Sequence, residues 1–213
     1  MTVATPTCPR CRSPVREPGL WSAQWQCPSH GAVAPLHVLG VLGEEQLGRV
    51  AERCAVPVWV PAPPPRGWLV TGAGWAGDER TGARASVVAL SGPSPLGGPA
   101  DLLLVAEEPG VGLGASFAGV PGPDPGSVGG RPEGKVEIGG HPTALWAVGG
   151  AADRCALAGE AEGVWIWAVL WPAEADLVLL EHLALRDLRG EVPPVLGYGA
   201  LTPRLLALPA AAP

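Results

Sequence analysis

Cys8-Pro9-Arg10-Cys11, followed after fifteen intervening residues by Cys27-Pro28-Ser29-His30, decides how the amino-terminal part of this chain folds. Each pair leaves two residues between soft donors, the spacing at which a tight turn aims both side chains at one point while its amides bend toward the sulfurs. Two such turns held face to face offer four tetrahedral corners, so Cys8, Cys11, Cys27 and His30 are the candidate ligands of one zinc ion. Pro9 and Pro28 follow a ligand, where a fixed φ suits turn entry, and Gly31 follows the second pair, where a positive φ is often needed. Arg12 holds the equivalent place after the first pair, a departure from the commonest form. Residues 13–19 carry two prolines and read as a loop, and residues 20–26 read as a strand entering the second turn. The pattern is that of a zinc ribbon of the Cys3His type. A segment this short buries little core, so metal binding contributes most of its folding free energy, on the order of 10 kcal/mol. Four closed corners leave no place for water, which makes the expected role structural. The competing reading, a redox dithiol in Cys8 and Cys11, calls for a preceding strand in a βαβ pattern, and that pattern is missing.

The rest of the composition bounds the function classes. An apolar share of 47% with 16% charged residues, in 213 residues, points to a folded chain with room for the ribbon and one further core. With Gly 31 and Pro 26, turns are abundant and long helices few. A net charge of −6 leaves no broad basic field for nucleic acid; Arg10, Arg12 and Arg16 make only a small positive patch, read first as a solvated loop. No apolar run reaches the roughly 18 residues a membrane span needs, and residues 1–9 have no hydrophobic run of the kind a signal peptide carries. Thiolates meant for metal fit a reducing compartment, so a cytoplasmic location is expected.

Along the chain, residues 33–42 are expected to finish the ribbon's sheet and lead out of it. Leu47, Val50, Ala51 and Cys54 then fall at helical spacing, with Glu44 and Glu45 at the start and Arg49 and Arg53 near the end. From residue 56 the pattern is β-like. Short runs at 56–60, 67–75, 84–91, 102–107, 111–117, 135–138, 143–148, 154–159 and 163–170 are bounded by glycine and proline, with a hairpin turn at 77–82 and a long loop at 119–134. Val164, Ile166, Ala168 and Leu170 alternate with Trp165, Trp167, Val169 and Trp171, as in a central strand covered on both faces. Leu177, Leu180, Ala184 and Leu188 favour a helix over 174–189, although alternating leucines also allow a strand. The expected fold is α+β: a zinc-ribbon-like domain at 1–40, a linker helix at 41–55, an antiparallel sheet domain with a few packed helices at 56–190, and a tail at 191–213.

No catalytic constellation emerges. Trp146, Trp165 and Trp167 are expected in the core; for Trp59, Trp68 and Trp75, beside turns, core packing is the default and a groove for a ligand or peptide is the alternative. Gly110-Val111-Gly112-Leu113-Gly114-Ala115-Ser116 offers amides to a phosphate, but a strand-like stretch follows where a phosphate cradle wants a helix. Glu107 and Glu108, as neighbours on a strand, point to opposite faces. His37, His141 and His182 lie in no nucleophile setting, and Cys54 and Cys155 read as core thiols.

With Cys8-Pro9-Arg10-Cys11, Trp25-Gln26-Cys27-Pro28-Ser29-His30-Gly31, Val56-Pro57-Val58-Trp59, Gly67-Trp68, and Trp165-Ile166-Trp167 through Trp171-Pro172 in view, the whole chain resembles an actinobacterial family of unknown function. The resemblance implies a cytoplasmic protein, and some members carry a phosphotransacetylase label that no residue here supports. It brings no catalytic residue. The favoured expectation is a non-enzymatic binding or regulatory module with a structural zinc ion, engaging another protein. The alternatives are a small enzyme holding a phosphorylated or acyl ligand on the Gly110 bend, for acyl or phosphoryl transfer, and, more weakly, nucleic-acid contact through the ribbon arginines.

Overall fold

The computed structural model describes residues 5–20, 22–180, 183–190 and 194–206. Its amino-terminal part holds two minimal strands, β1 (Gln26–Cys27) and β2 (Gly31–Ala32), which pair across the Pro28-Ser29-His30 turn. Then come β3 (Leu36–Val38), α1 (Glu44–Arg53), β4 (Trp59–Pro61), β5 (Leu69–Asp78), β6 (Gly82–Pro93), β7 (Pro99–Glu107) and α2 (Leu113–Ala118). After a loop come β8 (Gly134–Ile138), β9 (His141–Ala147), β10 (Cys155–Ala161), β11 (Val164–Trp171) and β12 (Ala184–Asp187), with 3-10 turns at Ala173–Leu180 and Pro203–Leu205.

Ten strands form one sheet in the order β3-β5-β6-β7-β11-β10-β9-β8-β12-β4. Every pairing is antiparallel except β12 with β8. Mostly β-sheet with few helices is therefore what the chain forms. The central strands are apolar on both faces, as the alternation in β11 predicts. Ile166, Ala168 and Leu170 join Val88, Leu90, Leu102 and Leu104 in one core, closed by α1 and by the β12–β4 end of the sheet. That end curls over β6, where Ser86 Oγ donates to the Pro57 carbonyl at 2.5 Å. Trp167, Val169, Leu103, Val105 and Val87 form the second core, covered by Leu113, Ala115 and Phe117 of α2 and by Leu205.

Several expectations give way. Residues 111–117, read as a strand, hold α2 instead: Gly110 and Gly112, both at φ 86°, turn the chain out of line with β7 and start a helix. The stretch 174–189 is split. Its first part is a 3-10 turn, and its second is β12, whose Leu185 is buried, as is Leu183 just before it, beside β8 and β4; residues 181–182, and with them His182, lie outside the described residues. Residues 33–42 do more than finish an amino-terminal sheet, because Leu36 pairs with Thr7 on one side and β3 pairs with β5 on the other. Trp59 and Trp68 are core residues, at 2% and 5% exposure, in line with the default of core packing, and the alternative groove does not form around them. Trp146, expected in the core, is half-buried, its indole donating to the Gly130 carbonyl at 3.2 Å. The tail docks: Val70 donates to the Gly197 carbonyl and Gly199 to that of Val70, each at 2.9 Å; Pro193 and residues 207–213 are outside the described set. Among the described residues no helix is long and apolar enough to cross a membrane.

Candidate metal centre

The two ligand turns form through their own backbones. In the first, Arg12 N–H donates to the Cys8 carbonyl and Cys8 N–H to that of Ser13, both at 2.8 Å, which folds Cys11 back beside Cys8. In the second, Cys27 faces Gly31 across the β1–β2 pair, and Gly31 at φ 66° lets the chain reverse so that His30 lies over Cys27. Mutual hydrogen bonds between Arg16 and Gln26, at 2.9 and 3.0 Å, and between Thr7 and Leu36, at 3.0 and 2.7 Å, hold the turns together.

The result brings together all four residues that the spacing singles out. The sulfurs of Cys8, Cys11 and Cys27 and a ring nitrogen of His30 lie within 4.8 Å of one another. His30 Nδ1 is 3.6 Å from both Cys8 Sγ and Cys27 Sγ, and Cys11 Sγ is 3.6 Å from Cys27 Sγ. A tetrahedral ion with bonds of about 2.3 Å to sulfur and about 2.0–2.1 Å to nitrogen sets the corner-to-corner separations near 3.8 Å for S···S and 3.6 Å for S···N. The donor atoms are thus close enough to hold one metal ion, and the soft Cys3His set suits zinc. Burial pushes the Cys8 thiol up to about 12. Burial also works against Cys11, but hydrogen bonds with Ser13, Cys27 and Cys8 outweigh it and hold this thiol below its ordinary value. A divalent cation among the sulfurs favours the thiolate form of both.

The arginines around the site are not the solvated patch that the sequence suggests. Arg10 reaches the α2 approach, where Nε donates to the Val111 carbonyl at 3.2 Å and a terminal nitrogen to that of Gly110. Arg12 turns inward and is 6% exposed, with its Cζ 4.0 Å from the centre of the Phe117 ring. Burial draws the pKa of its guanidinium down to about 10, against the opposing pull of charge at Cys8 and Cys11. Of the three, only Arg16 is exposed.

Beside the metal turns, the amino-terminal segment and the β5–β6 hairpin enclose a cleft of about 950 Å³ lined by Trp25, His37, Arg53, Trp75, Asp78 and Arg80, among others. His37 stacks on Trp75 at 5.1 Å between ring centres, meets Trp25 edge-on at 6.3 Å, and donates from Nε2 to the Gly77 carbonyl at 3.1 Å. Burial lowers the His37 pKa, so the ring favours its neutral form. Arg53 lies 5.4 Å from the Trp75 ring centre, and Arg80 ties the hairpin to the segment by donating to the Ala23 carbonyl at 3.1 Å. Trp75, the alternative groove residue of the sequence, lines this cleft, but with Trp25 and His37, which no local pattern marks for it. The signal was weak because their meeting depends on β3 pairing with β5, which sets His37 opposite Trp75.

The Gly110 bend has the strand before it and the helix after it that a phosphate cradle wants, yet the place is filled from within. Glu107 is fully buried and accepts from Leu113 N–H at 2.7 Å and Gly114 N–H at 3.1 Å, one oxygen to each. Glu108 points the other way and pairs with Arg84 at 2.7 Å, as strand alternation requires. Burial pushes the Glu107 carboxyl up to about 7, although both amides favour its ionised form. Cys54 is a core thiol that burial pushes up to about 12, while Cys155 is half-buried against the same core and His141 is exposed.

Comparison with curated proteins and with solved structures returns no match to this chain. Residues 1–205 match the model of a family of unknown function (DUF6758), and the chain belongs to that family.

Proposed function

We propose that Cys8, Cys11, Cys27 and His30 bind one zinc ion in a Cys3His ribbon whose role is structural, and that the protein is a non-enzymatic binding module of the cytoplasm. Its partner is a segment of another protein, taken into the cleft between the ribbon and the β5–β6 hairpin. The observation that carries the zinc reading is the convergence of four soft donors within 4.8 Å of one another, with Cys8–His30, Cys27–His30 and Cys11–Cys27 each at 3.6 Å, close to the edges a tetrahedral ion sets. Pro6, Pro18 and Trp25 of the ribbon form one wall of the cleft, so whatever holds the ribbon also sets the shape of the cleft. Aromatic and proline walls rimmed by Arg53, Asp78 and Arg80 suit an extended peptide, with rings for its apolar side chains and charges to orient it.

The alternatives draw less support. An acyl or phosphoryl ligand on the Gly110 bend would have to displace the Glu107 carboxylate from the amides it occupies. A nucleic acid would find Arg12 buried and Arg10 engaged with backbone carbonyls. Affinity capture from a native extract with the wild type, Cys8→Ser and Trp25→Ala tests the binding role. Partners held by the wild type and lost by both variants are expected; the same partners on all three proteins would remove the cleft from the reading.

A further inference from the structure

Among the described residues, Arg12 combines a left-handed backbone with a buried, unpartnered cationic side chain. It sits at φ 61°, in the left-handed region that costs a side-chain-bearing residue about 1 kcal/mol or more. It is buried, and its Nε and both terminal nitrogens have no hydrogen-bond partner among the described residues. The face of Phe117 gives the guanidinium a cation–π contact but cannot accept five N–H donors. A buried charge without a counter-charge is strongly disfavoured, and Arg12 is built into the metal turn itself: it directly follows Cys11, and its N–H donates to the Cys8 carbonyl at 2.8 Å.

Charge balance explains the arrangement. Loading three cysteines and a neutral histidine with a divalent ion releases three thiol protons and takes up two positive charges, so the centre ends with one negative charge. We propose that Arg12 is the built-in counter-ion of the metal centre: its guanidinium brings the buried Cys3His assembly with a divalent ion to zero net charge. This rests on the zinc reading above. Arg10 does not fill the role, because its donors are directed to the Gly110 and Val111 carbonyls. Arg12 also reaches from the metal turn to Phe117 on α2, so it is a positioning residue that connects the ion to the helix covering the second core.

Zinc affinity, measured by competition with a chromophoric chelator, tests this in the wild type, Arg12→Lys, Arg12→Met and Arg12→Gly. Lysine keeps the charge and the aliphatic stem; methionine keeps the stem alone; glycine removes both and relieves the backbone at φ 61°. The counter-ion role has Arg12→Met and Arg12→Gly weaker by about tenfold or more, with Arg12→Lys close to the wild type. Arg12→Met binding like the wild type, Arg12→Lys as weak as Arg12→Met, or Arg12→Gly at least as tight as the wild type would each overturn it. A wild type that takes up no zinc would instead overturn the metal reading on which it rests.

Discussion

Glu107 carries consequences out of proportion to one side chain. It ends β7, and its two oxygens cap the first amides of α2, so a single carboxylate fixes the angle at which the chain leaves the sheet. Its cost is desolvation, which pushes its pKa from 4.5 to about 7. A folded value above the unfolded one means that the native state binds the proton more tightly across that window. This contribution to stability is therefore full below about 4.5 and declines as pH rises to about 7. Glu107→Gln is expected to flatten that decline and to cost about 1 kcal/mol, because its amide group would set a donor against one of the α2 amides. The difference between wild type and variant in urea unfolding free energy, at about pH 5 and about pH 8, isolates this residue from the proton dependence of the ligands. Equal slopes in the two proteins would rule the assignment out.

At the scale of elements, α2 is one of the pieces that join the amino-terminal segment to the sheet. Arg10 and Arg12 approach it from the metal turns, Glu107 caps it from the sheet, and Gly114 lets it lie directly on the Trp167 indole of β11. A Cβ at Gly114 would collide with that ring. Gly114→Val is therefore expected to lift α2 and cost about 1–3 kcal/mol, seen as a lower denaturant midpoint with tryptophan fluorescence altered in the native baseline. An unchanged midpoint would mean that α2 yields freely. This helix was not readable from the sequence because its six residues are too few for a helical period to show, and its glycine-rich lead-in looks like a bend in a meander. β11 was readable for the opposite reason: eight residues alternate without a break, and both faces are apolar. β12 fell between the two, since it is only four residues long and the alternation of Leu183 with Leu185 at its start fits either period, so its neighbours β8 and β4 decide it. The convergence of Cys8, Cys11, Cys27 and His30 needed no such context, because the spacing within each turn already fixes the direction of its side chains.

For the whole molecule, the metal donors sit where little else holds the chain. Outside its links to β3, α2 and the β5–β6 hairpin, the amino-terminal segment has two strands of two residues each, and Leu20 lies open to solvent. The ten-stranded sheet has two extensive cores of its own, whereas the segment that walls the cleft brings Cys8, Cys11, Cys27 and His30 within 4.8 Å of one another, and on the zinc reading proposed above an ion there would hold it. The cleft joins parts distant in sequence, with Trp25 from one side and Trp75 from the other, so no local pattern announced it. The most direct measurement is the zinc content per chain of protein purified without added metal, for the wild type and Cys8→Ser. About one zinc per wild-type chain and almost none in the variant is the expected result. A wild-type chain that is folded and free of metal would contradict a cation-held amino-terminal segment.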